Sequence, residues 1–123
     1  MAVLNEEQQM LKDMAADWAR ERMPVTALRS LYDHGGGGRA DSIGYDPEAW
    51  AEMAQMGWTG ILAPQDHGGS DFGYLSLGLI LEEMGKTLAA SPLLSSALVA
   101  VSALRMGGDD AQQARWLPGL ADG

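Results

Sequence analysis

Three observations predict an all-α fold of five or six helices in a bundle-like arrangement. Helix-start signals recur along the chain, apolar residues between them fall three and four apart, and almost nothing alternates as a strand would. The chain has 123 residues, 46% of them hydrophobic. A chain of that size buries roughly two thirds of the surface its unfolded form exposes, so one domain spanning residues 1–123 is expected.

The first helix starts at Asn5, where Gln8 three residues on completes a capping box, and Leu4, Leu11, Ala15 and Trp18 share its apolar face. Pro24 ends it. A short second helix, about Thr26 to Tyr32, breaks at Asp33-His34 and the run Gly35 to Gly38, which predicts a mobile loop because consecutive glycines maximise the entropy a helix must suppress. Asp46-Pro47 starts the third helix, with Trp50, Met53 and Ala54 facing inward and Gly57 closing it. The apolar run Trp58 to Pro64 reads as extended, and Gln65 to Gly73 as a glycine-rich loop.

A long helix from about Gly73 to Leu88 is expected to bury Leu75, Leu79, Ile80 and Met84, and carries Glu82, Glu83 and Lys86 near its end. Ser91-Pro92 begins the next, apolar on nearly every side from Leu93 to Leu104 and therefore expected at the centre of the fold, before Gly107-Gly108 stops it. Asp110 with Gln113 forms a second capping box, opening a short helix with Trp116 and Leu117 that Pro118 is expected to end.

Eight Lys plus Arg against 17 Asp plus Glu give a formal charge of -9, which disfavours nucleic acid and anionic membrane surfaces as partners. The apolar stretch Ser91 to Met106 would span roughly 24 Å as a helix, short of the ~30 Å hydrocarbon thickness, so no membrane span is expected. Met1 to Glu7 lacks the basic and apolar regions of a secretory leader, and a cytoplasmic location is the expectation. The absence of Cys excludes disulfides and thiolate metal sites, and with only His34 and His67 no zinc spacing is found.

Residue chemistry alone names no catalyst. The run Gly35 to Gly38 before Arg39 lacks the Gly-Lys-Ser/Thr ending of a phosphate loop and no strand precedes it. Asp66, His67, Ser70 and Asp71 hold the inventory of a nucleophilic site, but neighbours on one loop seldom converge into a triad, and turn or capping roles fit better. Glu82 and Glu83 are adjacent, hence about 100° apart on a helix, which suits solvation or an ion pair rather than paired acid and base. Trp18, Trp50, Trp58 and Trp116 lie on separate elements, which suits core packing better than a stacking platform.

The segment Trp58-Thr59-Gly60-Ile61-Leu62-Ala63-Pro64-Gln65-Asp66-His67-Gly68-Gly69 resembles the first domain of the acyl-CoA dehydrogenase family, with its apolar run, Pro and Gly-Gly turn. Leu81-Glu82-Glu83-Met84-Gly85 is similar to the family's Glu-Glu helix, and Gly107 to Gly123 resembles its Gly-x-x-x-Gln-x-x-x-x-Leu-Pro segment. In this order and at these separations the motifs cover nearly the whole chain.

The resemblance implies an N-terminal helical domain whose parent continues into a β domain and a second helical domain. It implies an FAD-dependent oxidoreductase of lipid metabolism that removes a proton and a hydride from adjacent carbons of an acyl-CoA thioester, the flavin taking the hydride. It places the flavin contacts chiefly, and the catalytic Glu, beyond this chain, so no catalytic or flavin-binding residue is assigned here and the isolated chain is expected neither to retain FAD nor to turn over substrate. The first domain in this family lines the acyl cavity, at positions that fall near Ser91, Pro92, Ser95, Ser96 and Val99. The charge of -9 suits the acyl end better than the coenzyme A phosphates. The segment Leu88 to Pro92 resembles bacterial members acting on large or unusual acyl-CoA substrates, some built from unlike subunits of which only one binds flavin. A homo- or hetero-oligomer with an electron-transfer partner is the corresponding expectation. Two alternatives stand beside this reading: a flavin-dependent monooxygenase of the same fold, and a free-standing helical module that docks through an exposed apolar face.

Overall fold

The computed structural model describes residues 3–34 and 43–123, so the predicted loop at Gly35 to Gly38 and Arg39 lies outside the described residues. Six α-helices in this order form the regular structure, with no strand among the described residues: α1 (Glu6–Arg22), α2 (Val25–His34), α3 (Pro47–Gln55), α4 (Tyr74–Thr87), α5 (Val101–Gly107) and α6 (Asp110–Asp122). A 3-10 turn at Gln65–His67 and a π-helical stretch at Leu94–Ala100 complete them. The chain divides into two compact units, one made of Met1–Asp46 and Gly78–Ser91, the other of Pro47–Leu77 and Pro92–Gly123.

In the first unit the Asn5 carboxamide accepts the Gln8 amide at 2.8 Å and Gln8 returns the bond to the Asn5 amide at 3.1 Å, the reciprocal cap read from sequence. Glu6 and Glu7 in the first turn and Arg20 and Arg22 in the last complement the helix dipole. Ala15 and Ala19, four apart, are the buried positions of α1, and Met23 closes it with its amide on Ala19 O at 3.0 Å. In α4, Leu79, Ile80 and Met84 are buried as expected, but Leu75 is 45% exposed. The buried stripe runs through Leu77, Ile80 and Met84, and Leu75 lies about 140° from Ile80 around the helix. The helix ends in paired bonds, Ala89 N to Met84 O at 3.0 Å and Leu88 N to Gly85 O at 3.3 Å, with Leu88 at φ 56 in the left-handed position usually given to glycine. That conformation costs a non-glycine residue about 1–2 kcal/mol.

In the second unit α3 starts at Pro47 and closes by the same device, Trp58 N to Met53 O and Gly57 N to Ala54 O, here with glycine at φ 80. The apolar run after Gly57 is buried from Trp58 to Ala63 yet is not extended. It forms successive turns, Ile61 N to Trp58 O and Ala63 N to Gly60 O. With no partner strand, its carbonyls are instead taken by the returning loop: Ser70 N to Gly60 O at 3.0 Å, Phe72 N to Ile61 O at 2.9 Å and Asp71 N to Ala63 O at 3.1 Å.

The helix read as central is not surrounded. Leu93, Ala97 and Val101, four apart, are fully buried, while Leu94 and Val99 on the other side are 56% and 57% exposed. Apolar composition on every side had implied burial on every side, but among the described residues only the Leu93, Ala97 and Val101 side is buried. Gly108 follows α5, where a Cβ would sit 2.7 Å from Leu104 O.

The final helix begins one residue earlier than read. Asp109 caps it, accepting the Gln112 amide at 2.8 Å, with Gln112 bonded back to the Asp109 amide at 2.9 Å. Asp109/Gln112 and Asp110/Gln113 are chemically equivalent pairs one residue apart, so the spacing rule could not choose between them; Gln113 instead donates to Gly108 O at 3.1 Å. Pro118 does not end the helix, which runs through it to Asp122. Burial of Leu117 and Ala121 on either side offsets the hydrogen bond that proline forgoes. Gly60 makes room for this last turn, since a Cβ there would lie 3.2 Å from Ala121 Cβ, and the Thr59 hydroxyl donates to Ala121 O at 2.6 Å.

Candidate functional site

The residues singled out for the acyl end divide between the two units. Ser91 closes the first unit, whereas Pro92, Ser95, Ser96 and Val99 belong to the second. Pro92 O anchors the start of their helix, accepting the Ser96 amide at 2.8 Å and the Ser95 hydroxyl at 3.1 Å. Ser95 and Val99 stand exposed, and Pro92 and Ser96 are half-buried at the margin. The i→i+5 bonding of Leu94–Ala100 makes each turn wider than α, so Leu94 and Val99, five apart, share the open side. The open face is thus Leu94, Ser95 and Val99: a small hydroxyl between two aliphatic side chains. A depression of about 380 Å³ elsewhere in this unit, lined by Trp50, Ala51, Ala54, Gln55, Asp122 and Gly123, includes none of them.

C-terminal to that face, two polar side chains one turn apart fasten α5 to the loop. Ser102 Oγ lies 2.9 Å from the Tyr74 hydroxyl. Arg105 Nη1 donates to the Leu62 carbonyl and, at 2.8 Å, to the Asp71 carboxylate. Asp71 has φ 51, a conformation that aspartate tolerates better than most residues. Gly69 is required in the same loop, because a Cβ there would fall 1.9 Å from Ala63 O. Asp71 therefore has the turn role expected of it, and His67 and Ser70 share no hydrogen bond among the described residues. Sequence reading missed Arg105, Ser102 and Tyr74. The available signal was a Ser and an Arg three apart on an otherwise apolar helix.

In the first unit, Glu83 is buried and accepts from Lys86 at 2.7 Å, with Lys12 of α1 3.9 Å away and also 3.9 Å from Glu82. The adjacent glutamates are thus engaged in ion pairs. The hydrogen bond to Glu83 raises the Lys86 pKa above its ordinary 10.5, outweighing desolvation. Of the four tryptophans Trp58 is buried and Trp18 and Trp50 half-buried, but Trp116 is 52% exposed beneath the Arg115 guanidinium, 4.7 Å from its ring centroid.

A flavin dinucleotide needs cations or a helix start free for its diphosphate. Lys12 and Lys86 face Glu82 and Glu83, Arg20 pairs with Asp17, and Arg105 with Asp71. These four cations are thus engaged by carboxylates, and Arg115 lies over the Trp116 ring. No three His, Asp or Glu side chains among them come together as a metal ion would require.

Comparison with known proteins adds the following. The sequence model of the acyl-CoA dehydrogenase N-terminal domain matches residues 5–123. Acyl-CoA dehydrogenase FadE12 of Mycobacterium tuberculosis is 30% identical over 125 residues, a match covering 97% of this chain and 29% of that protein. The solved Tcur3481-Tcur3483 steroid ACAD variant superposes with a TM-score of 0.80 at 30% identity, over 96% of this chain and 30% of the other. A structure reported for the electron transferring flavoprotein of Acidaminococcus fermentans gives a TM-score of 0.71 at 25% identity, covering 100% of this chain and 30% of that one. The chain therefore spans about three tenths of the length of these relatives.

Proposed function

The chain belongs to the acyl-CoA dehydrogenase family through its N-terminal domain, and from that premise we propose that it serves as the first helical domain of an FAD-dependent acyl-CoA dehydrogenase. The observation that carries this reading is the family match over residues 5–123 together with an uncovered apolar face on the Leu93–Gly107 helix. In the proposed role that face, through Pro92, Ser95, Ser96 and Val99, borders the acyl end of the substrate. Ser91, the residue before Pro92, stays in the proposed set.

The chain supplies shape rather than chemistry. Ser95 is small and Leu94 and Val99 are aliphatic, which suits contact with an alkyl or alicyclic group and not with a polyanion. A bulky acyl group is the proposed substrate class, supported by the likeness to a steroid ACAD. Segments outside this chain hold the FAD in this proposal, in keeping with a match to the family's N-terminal domain alone. An electron-transfer partner, an oligomeric parent and a cytoplasmic role in lipid metabolism complete it; the likeness to a structure from work on an electron transferring flavoprotein supports the first.

The test is a purified protein from the complete coding sequence that contains residues 1–123. It is expected to bind FAD and to reduce an artificial electron acceptor when given acyl-CoA, with bulky acyl groups preferred. Turnover of an aromatic substrate by reduced flavin and oxygen, without acyl-CoA oxidation, would replace this reading with the monooxygenase one.

A further inference from the structure

The helix bearing the proposed acyl contacts changes geometry part-way along. Leu94–Ala100 is π-helical, Val101–Gly107 is α-helical, and at the junction the Val101 amide donates to Ser96 O, five residues back. Seven π-helical residues exceed the single-turn bulge in which this bonding is usually met, and sparsely populated backbone of this kind persists only where its surroundings over-determine it.

A set of side-chain contacts lies just past the junction. Ser102 and Arg105, three apart on α5, grip Tyr74 and Asp71, three apart in the chain across from them, and Arg105 also holds the Leu62 carbonyl. The loop they grip cannot follow a moving helix. It is doubled on itself by the amides of Ser70, Asp71 and Phe72, and Gly69 lies against Ala63 O with no room for a Cβ.

We infer that this two-point clasp sets the register of the π-helical stretch and through it the direction in which Ser95 and Val99 face, so that Arg105 is a positioning residue for the acyl end of the site. The inference rests on the function proposed above for that face. A π turn holds roughly one residue more than an α turn, so relaxing seven residues to α geometry accumulates about a third of a turn of extra twist from one end of residues 94–100 to the other. Leu93, Ala97 and Val101, four apart, share a face in either geometry, so with that stripe kept buried Ser95 and Val99, two residues either side of Ala97, would each turn by about 40° around the helix. Arginine suits the task, since its rigid guanidinium satisfies a carbonyl and a carboxylate together, where lysine holds either acceptor less firmly.

The experiment uses the complete protein carrying Arg105→Met, Arg105→Lys or Tyr74→Phe, with Leu117→Val as a variant weakened elsewhere in the same unit. Two quantities are read: amide hydrogen exchange across residues 94–101, and kcat and KM on acyl-CoA substrates from short to bulky. Arg105→Met is expected to speed exchange in that stretch roughly tenfold beyond Leu117→Val. It should also raise KM for bulky substrates about three- to tenfold while kcat on short ones changes less than about twofold. Arg105→Lys should recover part of both effects and Tyr74→Phe should show a smaller version. Unchanged exchange at 94–101, faster exchange with an unaltered substrate profile, or the same profile shift in Leu117→Val would each overturn the inference. If the wild-type protein oxidises no acyl-CoA, the proposed function fails, and the exchange comparison alone decides whether the clasp holds the register.

Discussion

Glu83 and Lys86, one turn apart on α4, meet at 2.7 Å although the glutamate is almost wholly buried and the lysine more than half exposed. The hydrogen bond that Lys86 donates to Glu83 raises the Lys86 pKa above 10.5, with desolvation opposing it and the charges of Glu83 and Glu82 adding to it. A lysine whose folded pKa is raised contributes stability that is complete below its unfolded pKa and is lost as pH climbs through the higher folded value. Urea midpoints should therefore fall as pH rises beyond 10.5, and Lys86→Met should flatten that alkaline limb. An identical limb in the variant would show that the pair contributes nothing to it.

Thr59 and Ala121 offer a sharper test of packing in the second unit. The hydroxyl donates to a main-chain carbonyl of the last helical turn, and Thr59 is fully buried. Thr59→Val keeps the shape and strands that carbonyl, which should cost about 1–3 kcal/mol. Thr59→Ser keeps the bond and should cost less. Denaturant unfolding of the two variants compares them; equal losses would mean that the methyl, not the hydrogen bond, matters.

Two glycines should respond in opposite directions to alanine. At Gly69 the new Cβ would meet the Ala63 carbonyl at 1.9 Å, backbone that cannot step aside, and a loss at or above the usual 1–3 kcal/mol of overpacking, about 3 kcal/mol, is expected. At Gly78, inside α4, nothing lies within 4 Å, and alanine should stabilise by about 0.5–1 kcal/mol. Thermal unfolding of the pair reads both signs at once.

The parts of this fold that sequence revealed are those governed by local chemistry. The Asn5 cap, the start at Pro47, the glycine closing α3 and the end of α5 before Gly108 each depend on residues within one turn of each other. The parts it missed depend on partners far along the chain. Pro118 lies inside a helix because Leu117 and Ala121 are buried around it. The Trp58 to Ala63 run turns rather than extends because its carbonyls are taken by residues 70–72. The Leu93–Gly107 helix has an open side because apolar composition states a preference for cover, not which neighbour provides it. At the candidate site the small residues were legible, whereas the Arg105 clasp joins positions 34 and 43 residues apart, beyond any spacing rule.

If the open face of this helix borders the acyl group of a substrate, Ser95→Leu in the complete protein changes which acyl groups are accepted. Ser95 is exposed, so a larger side chain there is expected to cost little stability. The measurement is kcat/KM across acyl-CoA substrates of increasing bulk, with thermal stability followed alongside. Expected are a loss of about tenfold or more on bulky acyl groups, less than about twofold on short ones, and an unchanged unfolding temperature. A variant that unfolds more easily and loses activity equally on every acyl length would contradict that placement.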